Sequence, residues 1–126
     1  MKANELRIGN YLMSNGIEIQ IDCIQPNMLA KVGENFYTKF DLFEPLPLTK
    51  YWLIKAGAKK CGSTERYWIS IPNLKAEIHF EIYEKEIVST IKSQFAELIL
   101  DRIKYVHEFQ NLYFALTNNE LSLSGS

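Results

Sequence analysis

Long hydrophobic runs are missing from this chain of 126 residues. A membrane-crossing helix needs roughly 20 consecutive apolar residues, and no stretch approaches that. The first residues lack the apolar core of a secretory signal, so the expected location is cytoplasmic and no membrane partner is expected. Cysteine is nearly absent: Cys23 and Cys61 are the only two, and they form no CxxC pair. They could form a single disulfide, but they do not make the framework of a disulfide-built scaffold. Cys23 ends an alternating apolar run and reads as a buried thiol, whereas Cys61, just before Gly62, reads as partly exposed.

Histidine is as scarce, with His79 and His107 alone. The two histidines and two cysteines make four zinc-ligand types by count, but their spacing fits no familiar zinc site. Glu81, Glu84 and Glu86, with Asp101, read as solvated carboxylates rather than an acid–base pair. Phosphate-binding glycine loops, dinucleotide fingerprints, HExxH and serine-nucleophile elbows are all missing. No catalytic residue, no metal and no cofactor is therefore expected.

What is present suits a folded domain. Hydrophobic residues make up 47% of the chain and charged residues 23%, with seven Tyr, seven Phe and two Trp. That composition argues against disorder, and the length suits one domain. The net charge of -1 hides a pattern. Residues 49–74 carry five basic and one acidic side chain, while the flanking segments are net acidic. No Lys/Arg run is long enough for a polyanion-binding tail.

Ile17, Ile19, Ile21 and Cys23 alternate with Glu18, Gln20 and Asp22, the period of a strand with one buried face. Asn15-Gly16 tolerates positive φ at both positions, so strands near 10–13 and 17–24 should form a hairpin. Met28–Val32 predicts a third strand, Gly33-Glu34-Asn35 a turn, and Phe36–Phe43 a fourth strand with an irregularity. Glu44-Pro45-Leu46-Pro47-Leu48 is a stiff connector, with Leu46 and Leu48 as packing anchors. Thr49 and Gly57 then read as the caps of a short helix that buries Trp52, Leu53 and Ala56.

The second half predicts a short strand at 58–61, strands at 66–71 and 76–82, and strands rather than helix within 86–103. Val106, Phe109, Leu112, Tyr113 and Leu116 share one helical face, and Asn118 suits the stop after it. The predicted class is α+β: a small bent N-terminal β-sheet or SH3-like barrel, a short central helix, a second antiparallel β region and a C-terminal helix. Residues 1–121 form one expected domain, and 122–126 a flexible tail.

Two groups of residues could carry function. His107, Gln110, Asn111 and Phe114 fall on the side of the last helix opposite its apolar face. Directed hydrogen bonds around one aromatic anchor suit a partner-binding surface. The structural alternative is that these side chains satisfy loop backbone. The second group is Lys50, Lys55, Lys59, Lys60, Arg66 and Trp68, where cations interleave with aromatics as in single-strand nucleic-acid binding. Its structural alternative is a buried Trp52 ringed by solvated lysines.

Three segments carry a family resemblance: NELRIGNYLMSNG at 4–16, EPLPLTKYWLIKAGAKK at 44–60 and KYVHEFQNLYFALTNNEL at 104–121. In these the chain resembles small uncharacterised proteins of Bacteroidetes genomes, often encoded in prophage or mobile regions. Relatives tend to have Gly at position 118 and Leu at 109, which preserve a helix stop and an apolar contact. The resemblance implies an accessory role and carries over no catalytic residue. The expected function is thus noncatalytic binding of another macromolecule, most simply a protein. Nucleic acid is the alternative partner, an enzyme of unfamiliar type is a further alternative, and exposed strand edges would allow a homodimer.

Overall fold

The computed structural model describes residues 5–34, 37–72, 74–84, 86–100 and 103–123. Strands β1 (Tyr11–Ser14) and β2 (Ile17–Gln25) form the predicted hairpin. Asn15 at φ 52° and Gly16 at φ 76° supply its two left-handed residues, the geometry that matches strand twist. β3 (Met28–Lys31) continues the meander. The expected fourth strand is divided. β4 (Thr38–Lys39) pairs with β3, a 3-10 turn covers Phe40–Leu42, and β5 (Phe43–Pro45) crosses to β1.

The resulting antiparallel sheet has the order β4-β3-β2-β1-β5. It is open, so of the two expected alternatives the bent sheet is the one present. A register shift between Ile21 and Cys23 supplies the bend, because an extra residue on one strand kinks it. The simple alternation also needs correction: Ile21 is buried, but Ile17, at the start of β2, is exposed, and Cys23 is only half-buried. Both cysteines are free.

After the connector comes α1 (Lys50–Lys55), with Trp52 and Leu53 buried. Thr49 makes no side-chain cap, contrary to expectation. Gly57, at φ 87°, ends the helix as predicted. The second sheet has the order β10-β9-β8-β7-β6, wholly antiparallel. Its strands are β6 (Lys59–Lys60), β7 (Arg66–Ile71), β8 (Ala76–Ile82), β9 (Ile87–Ser93) and β10 (Glu97–Leu100). Residues 86–103 are thus strands where described, as the β-branched run 88–91 favours.

α2 (Val106–Thr117) closes the fold. Glu108 accepts hydrogen bonds from the backbone N–H of Lys104 and Tyr105, securing the first turn. Asn118, at φ 58°, stops the helix in the left-handed conformation. Both helices cover one face of the second sheet, where Trp52, Leu53, Tyr67, Ile78, Phe80, Val106 and Phe109 share a core. Leu12, Ile21, Leu29 and Phe43 form a second core on the first sheet. β1 serves both cores, since Tyr11 and Met13 pack on one and Leu12 on the other. The expected flexible tail needs correction: Leu123 is buried in the main core, while 124–126 lie outside the described residues.

Candidate interaction surface

The polar face of α2 is already occupied by the chain's own N-terminal segment. Gln110 Nε2 donates to Gly9 O at 3.0 Å, and its Oε1 accepts from Tyr11 N at 2.9 Å. Asn111 Nδ2 donates to Glu5 O, and its Oδ1 accepts from Asn10 Nδ2 and from Arg7 Nη1. Arg7 lies 3.9 Å over the Phe114 ring and pairs with Glu120. His107 is 1% exposed and stacks on Tyr105. Its Nε2 is 3.7 Å from Glu5, too far for a hydrogen bond, and neither ring nitrogen has a hydrogen-bond partner among the described residues. Burial is the main cause pushing the His107 pKa below the usual imidazole value, although Glu108 and Glu5 oppose it.

His107, Gln110, Asn111 and Phe114 are therefore together, as expected, but as an internal clasp. These contacts match the structural alternative, side chains that satisfy loop backbone, for His107 and Gln110, which are buried, while Asn111 and Phe114 stay partly exposed. A helix wheel gives the direction of side chains, and here residues 5–11 fill that direction.

The basic aromatic stretch is divided among several places. Lys50 and Lys55 lie on α1, and Lys55 sits over the Tyr51 and Trp52 rings. Trp52 is buried in the core, so its ring is closed to a base. Lys59 and Lys60 form the whole of β6, and Lys60 pairs with Glu65. Arg66 and Trp68 lie on the face of the second sheet away from the helices. There Lys59 lies 5.2 Å over Trp68, Trp68 stacks on His79, and Arg66 meets Glu81 at 3.0 Å. His79 lies on the same face, half-buried, and bonds Glu77 at 3.0 Å. The same face carries Lys92 paired with Glu97. Lys59, Arg66 and Lys92 are matched there by Glu77, Glu81 and Glu97, so the face lacks the surplus positive charge that phosphates favour.

The chain also forms a cavity of about 720 Å³ that sequence reasoning did not identify. The connector and α1 contribute Leu48 and Lys50, the β8–β9 hairpin contributes Ile82, Tyr83, Glu84, Glu86, Ile87 and Val88, and Ile99, Leu100 and Lys104 complete the wall. It is an apolar hollow with ionic groups among its walls. Tyr83 donates to Glu81 at 2.6 Å. That bond is the main cause holding the Glu81 carboxyl below its usual range and lifting the Tyr83 phenol above its own. The cavity lining contains no Ser, Cys or His. Among the described residues no three His, Cys, Asp or Glu side chains are grouped to hold a metal.

At the β9–β10 turn and on β10, Phe95, Leu98 and Ile99 are 89%, 61% and 67% exposed, with Leu98 on the Ile91 side of the sheet and Ile99 on the Thr90 side. The sequence did contain a signal for this exposure. Three apolar residues in a row, Leu98-Ile99-Leu100, cannot all point to one face of a strand. In a strand covered on a single side, at least one must face out. No described helix is long and apolar enough to cross a membrane. Comparison of the chain with protein-family models, curated proteins and solved structures finds no match.

Proposed function

We propose that this chain is a noncatalytic, protein-binding accessory factor whose partner seats an apolar side chain in the cavity beside the β8–β9 hairpin. The observation that carries this reading is the cavity's build, an apolar hollow of about 720 Å³ walled in part by Lys50, Lys104, Glu84 and Glu86. A buried apolar anchor with a polar surround is the arrangement that concentrates binding energy between proteins. The resemblance of residues 4–16, 44–60 and 104–121 to small Bacteroidetes proteins supports a phage or mobile-element setting.

Affinity capture compares four immobilised chains: wild type, Tyr83→Ala, Lys104→Glu and Lys59→Glu. The expected partner is retained by wild type and Lys59→Glu, and lost from the two cavity variants. Equal retention by all four would remove the cavity as the docking site.

Nucleic-acid binding through residues 50–68 is the second reading, supported by the Lys59–Trp68 pair on an open sheet face. It predicts salt-sensitive binding of single-stranded DNA or RNA that Lys59→Glu abolishes. The paired Arg66 and Lys60 and the enclosed Trp52 weigh against it.

A further inference from the structure

Sheet edges expose unpaired backbone groups, and stable monomers blunt them with short strands, lysine or proline. Three of this fold's four edges carry such devices. β4 is two residues long and ends in Lys39. β5 ends in Pro45. β6 is the pair Lys59-Lys60 and nothing more. β10 carries neither lysine nor proline among its described residues, and although Glu97 is charged, Leu98 and Ile99 stand exposed.

The hydrogen-bond parity of β10 follows from its neighbour. Ser93 N donates to Ala96 O at 2.9 Å, and the register pairs Leu98 with Ile91 and Leu100 with Ser89. Hydrogen-bonded pairs alternate with non-bonded ones along an antiparallel ladder. The backbone groups of Leu98 and Leu100 therefore turn toward β9, and those of Glu97 and Ile99 turn outward. A strand added to this edge must bond to Glu97 and Ile99.

We propose that the occupant is β10 of a second copy, joined antiparallel about a two-fold axis at Leu98 so that the two second sheets become continuous. Charge excludes the register centred on Glu97. Pairing Glu97 with its own copy would set two carboxylates directly opposite, which is destabilising. The register centred on Leu98 sets each Glu97 against the other chain's Ile99, with both outward-facing residues exchanging N–H···O=C bonds. Each Glu97 keeps its own Lys92, 3.3 Å away, so no carboxylate is stranded as the edge closes. Leu98 meets Leu98 of the second copy across the axis, and two exposed apolar residues cover each other. The pairing shares β10 with the cavity, since Ile99 and Leu100 are among the cavity walls, but it rests on the backbone parity of the edge and on Leu98, which is not a wall.

Sedimentation equilibrium over a concentration series tests the association. Wild type and Lys59→Glu are expected to dimerise, and Leu98→Lys to weaken the dimer ~10-fold or more. A wild-type monomer persisting to ~1 mM chain would overturn the proposal, as would a dimer indifferent to Leu98→Lys in a variant of unchanged circular dichroism. Should Leu98→Lys fail to fold, single cysteines in a Cys23→Ser/Cys61→Ser background decide the matter. Leu98→Cys should cross-link to itself on mild oxidation, because non-bonded antiparallel pairs bring Cα atoms to about 4.5 Å. Glu97→Cys should not. Equal cross-linking by both, or by neither, would overturn the register. Loss of cavity-dependent partner capture with the dimer intact would overturn the functional reading alone.

Discussion

Gln110 uses both ends of its amide on the backbone of the first strand's approach, at Gly9 and Tyr11. It is only 2% exposed, so removing it takes a partner from two half-buried backbone groups, of which Gly9 O keeps Gln20 Nε2 at 3.2 Å while Tyr11 N loses its bond to Gln110. Gln110→Leu is expected to cost about 1–3 kcal/mol in urea unfolding. Arg7→Ala acts at a half-exposed position, and its expected cost is smaller, about 1 kcal/mol or less. His107 adds a dependence on pH. Its folded-state pKa is lowered mainly by burial, so the unfolded chain takes up the proton more readily. The stability that neutral His107 contributes is fully present above the ordinary imidazole value. It is lost as pH falls below about 6.5 toward the lowered folded value. Wild type should therefore lose more stability than His107→Asn between about pH 7.5 and pH 5.5, as read by denaturant midpoints.

At the scale of elements, the stop after α2 is the simplest to test. Asn118 holds a left-handed conformation, which costs a β-carbon-bearing residue roughly 1 kcal/mol unless it is Asn or Gly. Asn118→Ala should lower the melting temperature, and Asn118→Gly should leave it unchanged or raise it. This stop was legible in the sequence, as were the Asn15-Gly16 hairpin, the alternation of β8 and the apolar face of α2, because each rests on local geometry. Less was legible where tertiary contacts decide. Residues 36–43 have strand-forming composition, yet the chain must leave one edge of the first sheet and reach the other, and the turn at Phe40–Leu42 makes that passage. Thr49 has the chemistry of an N-cap without the bond. The polar face of α2 was legible as a face, but nothing local announced that residues 5–11 lie against it. β10 was legible as a strand within 86–103 but not as an exposed sheet edge, and the cavity, assembled from segments far apart in the chain, had no local signature.

The whole molecule is held by ties between its beginning, its middle and its end. Leu48 N donates to Lys104 O and Val106 N to Leu46 O, each at 2.9 Å, around the Pro47–Tyr105 bridge. Leu46, Leu48, Trp52, Val106 and Phe109 then share the same core. Trp52→Ala at this junction is expected to cost about 3–5 kcal/mol. Both sheets should lose protection together in hydrogen exchange, because β1 serves the two cores and α2 is hydrogen-bonded to the approach to β1.

The clasp between Arg7 and Asn111 joins residues 104 positions apart. During synthesis the first strand therefore leaves the ribosome long before the helix that satisfies its approach has been made. Until residues 104–117 emerge, the N–H of Tyr11 and the carbonyl of Gly9 lack their Gln110 partner, and the apolar side of β1 lacks its cover. A chain interrupted before α2 thus carries an unfinished strand, a marker that a protease or holding chaperone can read. Completion of the fold is tied to completion of these last turns, and proteolytic susceptibility of stalled chains of increasing length should fall sharply only once α2 is free.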